Sequence, residues 1–404
     1  MLRRSCAARS RGFALSIGGA LACAALALVA VNAVAQQASL EAQAQRQTQA
    51  QSQTDPTSWH VGETMRVFHP TIDRNWRGAQ THALITRIWY PADVEQPETA
   101  HDFGQPDHPI FTGHPAADDA PLSNAHARYP LLLLSHGTGG SADSLDWLAA
   151  SLAAHGYIVA GVNHPGNTAL EPLTRDGFML WWERATDVSE VLDGVLADPR
   201  FGNHIDQARI GALGFSLGGY TVLELAGART DLAAFERFCT SPEADAICKP
   251  PEAARLAREP GASGLTLDAL SLEAKASRAR SGDSYRDPRI KAAFAIAPAL
   301  GEAFDAASFA DVTIPVALLA GGADVTAPVD TNIRRFGTLM PQATVTIVPG
   351  ASHYTFMDVC EPAVVEHLAM ICKDGPGVDR AAVHTQTAAR VRDFFMATLP
   401  AGRS

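Results

Sequence analysis

The sequence predicts an α/β fold, with a mostly parallel central sheet of about eight strands and helices on both faces. Three observations carry that expectation. Seven short apolar runs read as buried strands, at 83–90, 131–135, 158–162, 210–215, 290–297, 313–319 and 344–348. Helical periodicity separates the later runs: Val188, Val191, Leu192, Val195 and Leu196 recur at helical spacing within 183–198, and 218–228 and 380–399 also read as helices. Glycine-containing turns follow three of the runs, at 137–140, 214–218 and 321–322.

Taken from the N-terminus, residues 1–35 read as an export signal. Arg3, Arg4, Arg9 and Arg11 precede an apolar run that ends in Ala33-Val34-Ala35, a small-x-small cleavage site. A retained anchor is the alternative, since the run approaches spanning length. The 404 residues carry a formal charge of −11. Loss of four arginines and no acid with residues 1–35 makes the mature chain more acidic, at −15. Such a chain is a poor ligand for nucleic acid or for an anionic membrane. Residues 36–56 are rich in Gln, Ala, Ser and Thr and predict a flexible linker. The remaining chain, 57–404, reads as one domain. Within it, residues 230–287 break the strand–helix rhythm and read as a cap-like insertion.

Four cysteines remain after the signal: Cys239, Cys248, Cys360 and Cys372. An exported chain sits in an oxidising compartment, periplasmic or secreted. Three pairings are open, and closure of short loops favours Cys239–Cys248 and Cys360–Cys372.

The chemistry-bearing residues stand at strand ends. Gly214-Phe215-Ser216-Leu217-Gly218 is the one G-x-S-x-G in the chain, and it lies between an apolar strand and a helix. A turn so tight admits only small residues beside the serine and pushes its oxygen outward. A serine hydroxyl is a weak nucleophile and needs a base. His353, in Pro349-Gly350-Ala351-Ser352-His353 after the last strand, is the candidate. The base needs a carboxylate to orient it, and Asp324 follows the penultimate strand. Glu302 and Asp305 are rival acids one strand earlier. A developing oxyanion needs backbone N–H donors. Leu217 N–H supplies one, and Thr138 N–H, in Ser135-His136-Gly137-Thr138-Gly139-Gly140, supplies the other.

Competing signals are weaker. Gly137–Ala142 matches a dinucleotide-binding G-x-G-x-x-A, but the next strand ends Val162-Asn163-His164 with no acid for a ribose. His101, Asp102, Asp107, His108 and His114 are irregularly spaced and predict a solvated loop, not a metal site. Trp181 and Trp182 read as core packing, with an acyl pocket as the alternative. Neither metal nor organic cofactor is expected.

These residues resemble the α/β-hydrolase superfamily, and within it the bacterial predicted dienelactone hydrolase group, close to the platelet-activating-factor acetylhydrolases. The similar segments are LLLLSHGTGG at 131–140, AAHGYIVAGVNHPGNT at 153–168, GALGFSLGGY at 211–220 and GASHYTF at 350–356. ADVTAPV at 323–329 is also similar to the acid loop of bacterial polyester hydrolases and cutinases. The resemblance spans roughly residues 60–400. It implies an α/β-hydrolase fold, a Ser216–Asp324–His353 triad, and Thr138 and Leu217 as oxyanion donors. Two departures stand out. Dienelactone hydrolases use a cysteine nucleophile where this chain has Ser216, and the acetylhydrolases carry their acid one strand earlier, at the position of Glu302. The expected function is a serine carboxylester hydrolase acting on small acyl esters or lactones. A binding protein on a hydrolase fold and a serine peptidase are the alternatives. The expected partner is a small-molecule ester, with no stable membrane insertion after signal cleavage and no oligomeric state implied.

Overall fold

A computed structural model describes residues 58–70, 77–93, 97–105, 107–258 and 271–400. The expected signal (1–35) and linker (36–56) lie outside the described residues, as do residues 259–270 of the expected insertion.

The strands in chain order are β1 (His60–Phe68), β2 (Leu84–Ala92), β3 (Thr99–Ala100), β4 (Phe103–Gln105), β5 (His108–Phe111), β6 (Pro115–Asp118), β7 (Tyr129–Ser135), β8 (Ile158–Val162), β9 (Ile205–Phe215), β10 (Ala292–Ile296), β11 (Val316–Gly321) and β12 (Thr344–Val348). Ten of them form one sheet in the order β12-β11-β10-β9-β7-β8-β2-β1-β6-β3. The six strands from β12 to β8 are parallel. The antiparallel β2 and β1 extend the sheet. The helices that matter below are α1 (Asp146–Ala153), α2 (Glu183–Ala197), α3 (Leu217–Ala226), α4 (Leu232–Cys239), α5 (Pro251–Leu256), α6 (Leu272–Arg278) and α7 (Arg380–Thr398).

The sequence explains the centre of this sheet. β7 reads YPLLLLS and β8 reads IVAGV, and every residue of both is buried. Strands covered on both faces need such continuous apolar runs. Each of Leu131–Leu134 contributes about 1.5–3 kcal/mol relative to an exposed side chain. The edges differ from expectation. β1 was not anticipated, because HVGETMRVF breaks its apolar run with Gly, Glu, Thr and Arg. It is held as a strand by its register on β2, from His60↔Ala92 to Phe68↔Leu84. β12 was expected to be buried but is the edge strand, with no residue fully buried.

This topology gathers the functional loops. β7 lies between β8 and β9, so the chain order reverses direction there, and loops leaving the C-terminal ends of β7 and β9 are neighbours. Crevices of this kind are where open α/β sheets present ligand sites. The loops after β11 and β12 approach the same end. Among the described residues no helix is long and apolar enough to cross a membrane.

The described part of 230–287 holds α4, α5 and α6. It is tied to the domain on two flanks. Thr331 donates to Asp245 at 2.5 Å on one side. On the other, Ser271 donates to Asp176 at 3.3 Å and Trp182 Nε1–H to Ser277 at 2.9 Å.

Candidate active site

Ser216 sits on the turn between β9 and α3 with φ 56° and ψ −118°, a left-handed backbone that a non-glycine residue rarely adopts. The glycines on either side make that turn possible. A Cβ on Gly214 would stand 2.1 Å from the Gly218 carbonyl oxygen, and one on Gly218 would stand 1.8 Å from that of Ser135. The hydroxyl therefore stands at the tip of a turn with no room to relax.

His353 reaches it from the loop after β12. Its Nε2 lies 2.9 Å from Ser216 Oγ, and its Nδ1 lies 2.7 Å from Asp324 Oδ2. The other carboxylate oxygen of Asp324 accepts the Thr326 and Ala327 N–H groups at 2.9 and 2.8 Å. Asp324 therefore has an acceptor role at both oxygens, so His353 carries its proton on Nδ1 and presents Nε2 to the serine hydroxyl. Phe215 packs on the imidazole, with ring centroids 4.9 Å apart. Glu302, the rival acid, is not brought to His353. It pairs with Arg335 at 3.2 Å.

The loop after β7 wraps the serine from the other side. Gly137 is so close that a Cβ there would lie 3.1 Å from Ser216 Cβ. His136 is buried, and its ring is satisfied as a neutral imidazole. Nδ1–H donates to the Gly137 carbonyl at 2.6 Å, and Nε2 accepts the His164 N–H at 3.3 Å. In a trans peptide the N–H points opposite to the C=O, so tying the Gly137 carbonyl to the buried ring turns Thr138 N–H away from it. Asn167 Oδ1 accepts the next amide, Gly139 N–H, at 2.7 Å. Leu217 N–H opens α3 and is one of the four amides a helix N-terminus leaves unpaired.

Beneath this loop lies a second chain of the same residue types, which the sequence reading did not single out. Ser135 Oγ lies 2.9 Å from His164 Nε2, and His164 Nδ1 lies 2.8 Å from Asp187 Oδ2. Arg77 pairs with Asp187 at 2.6 Å. This chain lacks the properties of a nucleophilic site. All four side chains are buried. Burial, reinforced by the Arg184 charge, pushes His164 down to about 3, so it cannot take a proton at neutral pH. A signal for it existed. Arg184 and Asp187 fall on the buried stripe of α2 with Val188, Val191, Leu192 and Val195, an uncommon place for charges.

The His353 loop is fastened to the segment that follows it. Thr355 donates to Asp374 at 2.6 Å, and Arg380 binds Asp374 at 2.9 Å and the Asp358 carbonyl at 3.0 Å. Disulfides join Cys360 to Cys372 and Cys239 to Cys248, with Cα atoms 5.6 and 5.3 Å apart. A loop of about this size is constrained by roughly 3 kcal/mol in the chain-entropy account. Because the Cys360–Cys372 bond closes the segment that latches His353, a Cys360→Ser/Cys372→Ser variant is expected to lose several-fold more ester turnover than Cys239→Ser/Cys248→Ser. Equal losses, measured beside thermal midpoints, would contradict that link.

His101, Asp102, Asp107, His108 and His114 are all exposed. One of them, His114, comes near two buried carboxylates, and single ligand atoms of His114, Asp146 and Asp358 lie within 4.8 Å of one another. Those carboxylates already accept protein donors. Asp146 takes Trp89 Nε1–H and His114 N–H, and Asp358 takes the Asp146 and Trp147 N–H groups that open α1. Burial pushes Asp146 up to about 7, and burial together with the Asp146 charge holds Asp358 well above the usual carboxylate range. Trp182 is buried, whereas Trp181 is partly exposed and packs against Phe235 of α4, with centroids 5.4 Å apart.

The model of the Alpha/beta hydrolase family matches residues 131–367. The chain is similar to a cutinase (est1) of Thermobifida alba, 32% identical over 108 residues that cover 26% of this chain and 33% of that protein. It is also similar to Lipase 1 of Moraxella sp. (strain TA144), 32% identical over 92 residues, 23% of this chain and 26% of that one. The matched segment thus spans a third or less of these relatives. In structure, a ferulic acid esterase from Streptomyces cinnamoneus aligns with a TM-score of 0.54 at 19% identity, over 86% of this chain and 93% of that one, a likeness of fold.

Proposed function

The chain belongs to the alpha/beta hydrolase family, and from that premise we propose that it is a carboxylic ester hydrolase working through Ser216, His353 and Asp324. The observation that carries this reading is the unbroken hydrogen-bonded chain from Ser216 Oγ through His353 to Asp324 at a strained strand–helix turn. Ser216 attacks the acyl carbon while His353 Nε2 takes its proton, and Asp324 stabilises the imidazolium. Thr138 and Leu217 N–H groups receive the oxyanion. His353 returns the proton to the leaving alcohol. Water then repeats the sequence on the acyl-enzyme and releases the acid.

The similarity to proteins named as a cutinase, a lipase and a ferulic acid esterase supports an ester rather than an amide substrate. The finer reading is a dienelactone-hydrolase-like or acetylhydrolase-like enzyme for small acyl esters or lactones, periplasmic or secreted. A fluorophosphonate should label Ser216 and no other serine, and Ser216→Ala should abolish both labelling and hydrolysis of p-nitrophenyl acetate. Hydrolysis undiminished by Ser216→Ala would end the proposal.

The insertion at 230–287 is proposed as a cap that limits acyl length. In support, it is fastened on both flanks of the sheet end, and Glu252 of α5 is close enough to Tyr354, beside His353, for its charge to raise the phenol's proton affinity behind the larger effect of burial. Replacing residues 249–270 by a Gly/Ser linker of equal length leaves the Cys239–Cys248 bond and is expected to broaden the acyl lengths accepted. An unchanged chain-length profile in the folded variant would remove the cap from the account.

A further inference from the structure

We propose that Arg184 is a positioning residue for the oxyanion loop, holding the His136–Thr138 backbone in the orientation that aims Thr138 N–H at the carbonyl oxygen of a bound ester. The inference rests on the serine-hydrolase reading of Ser216 and deepens it.

Arg184 is completely buried beneath the loop. Its one partnered nitrogen grips the junction between strand and loop: Nη2 donates to the His136 carbonyl and lies 3.4 Å from Ser135 Oγ. Its Nε and Nη1 are buried without a hydrogen-bond partner among the described residues. Filling this space with a guanidinium is costly, because a buried charge with unsatisfied donors is worse for folding than an apolar side chain of the same size. What the guanidinium adds is a fixed direction for two groups at once.

The protons in this network run one way. Arg184 donates to Ser135, Ser135 Oγ–H donates to His164 Nε2, His164 Nδ1–H donates to Asp187, and Arg77 closes the far end on Asp187. With His164 able only to accept at Nε2, the Ser135 hydroxyl cannot turn toward the His136 carbonyl and displace the guanidinium. The carbonyl of His136 is thus held on Arg184, and the next carbonyl, that of Gly137, is held on the His136 ring. Two successive peptide planes are fixed, and the amide of the second is Thr138 N–H. The guanidinium keeps its charge at neutral pH, since burial lowers it only to about 9. That charge, behind burial, also helps hold His136 neutral, the form in which its Nε2 accepts the His164 amide.

The test uses the full chain with Arg184→Met and Arg184→Lys, the first apolar and similar in length, the second retaining the charge. Thermal midpoint, kcat and KM on p-nitrophenyl acetate, and the rate of fluorophosphonate labelling are read for each. Arg184→Met is expected to fold with a midpoint near or above that of the parent. Its kcat should fall on the order of 10²-fold, as for loss of an oxyanion donor, with KM nearly unchanged and labelling slowed in parallel. Arg184→Lys should recover part of the kcat. A folded variant with parental kcat overturns the proposal, and so does failure of both variants to fold, which would make the guanidinium structural. A parent that neither labels at Ser216 nor turns over the ester would instead refute the serine-hydrolase reading itself.

Discussion

Replacing Asp324 by Asn is expected to lower kcat by a factor on the order of 10³–10⁴ while leaving the thermal midpoint close to that of the parent. The size of the effect follows from how the carboxylate is held. Its Oδ1 accepts two backbone amides, from Thr326 and Ala327. An asparagine at this site must put its carbonyl oxygen there, because an NH₂ group facing two N–H donors would be repelled. The NH₂ group is then forced toward His353 Nδ1, which has to become an acceptor. The proton moves to Nε2, and the imidazole presents a donor to Ser216 where the proposed mechanism needs a base. Glu302→Gln is the matched control. Its partner is Arg335 at 3.2 Å, and its side chain remains about one-fifth exposed, so kcat should change little. Measuring kcat and KM for both variants on one chromogenic ester decides the point, and a reversed outcome would transfer the acid role to Glu302.

Gly218→Ala is expected to be nearly as damaging by a different route. The added methyl would lie 1.8 Å from the Ser135 carbonyl oxygen and 2.8 Å from that of His136. Both are backbone atoms at the end of β7, a central strand paired on each side with β8 and β9. Neither can move without also shifting the loop that carries Thr138. Either the helix start moves away, carrying Ser216 out of reach of His353, or the strand end yields. The expected cost is about 3 kcal/mol or more, seen in urea titration, with ester turnover lost from whatever protein still folds. Near-parental stability and turnover would mean that the turn is looser than its geometry states.

The meeting of Ser216, Asp324 and His353 at one end of the sheet was legible in the sequence because each follows an apolar run and sits in a glycine-marked loop. Strand ends and small residues are what a tight functional turn requires. The parallel core was legible for a related reason, since strands buried on both faces leave continuous runs such as Leu131–Leu134. The rest was hidden by physics that is not local. β1 is polar along half its length and becomes a strand through its neighbour β2. β12 has the composition of a buried strand but ends the sheet, and nothing in five residues says which neighbour is missing. The Arg77–Asp187–His164–Ser135–Arg184 network draws on four separate stretches of chain, and only the two charges on the buried stripe of α2 mark it locally.

The Asp146–Asp358 pair gives the fold a proton inventory. In the folded protein Asp146 holds its proton to about pH 7, and Asp358 also titrates well above the ordinary range, whereas both release protons near pH 4 once the chain unfolds. Folding near pH 6 therefore takes up protons from solution, and the pair's contribution to stability is complete below about pH 4 and is lost as pH rises from there through the folded-state values. The charge that then appears sits where Asp358 receives the amides opening α1, two residues beyond the helical turn His353–Phe356. A rise in pH from acid to neutral should accordingly loosen this seam. Asp146→Asn, which supplies an uncharged side chain of the same shape, should flatten the fall of the thermal midpoint between about pH 4 and about pH 7.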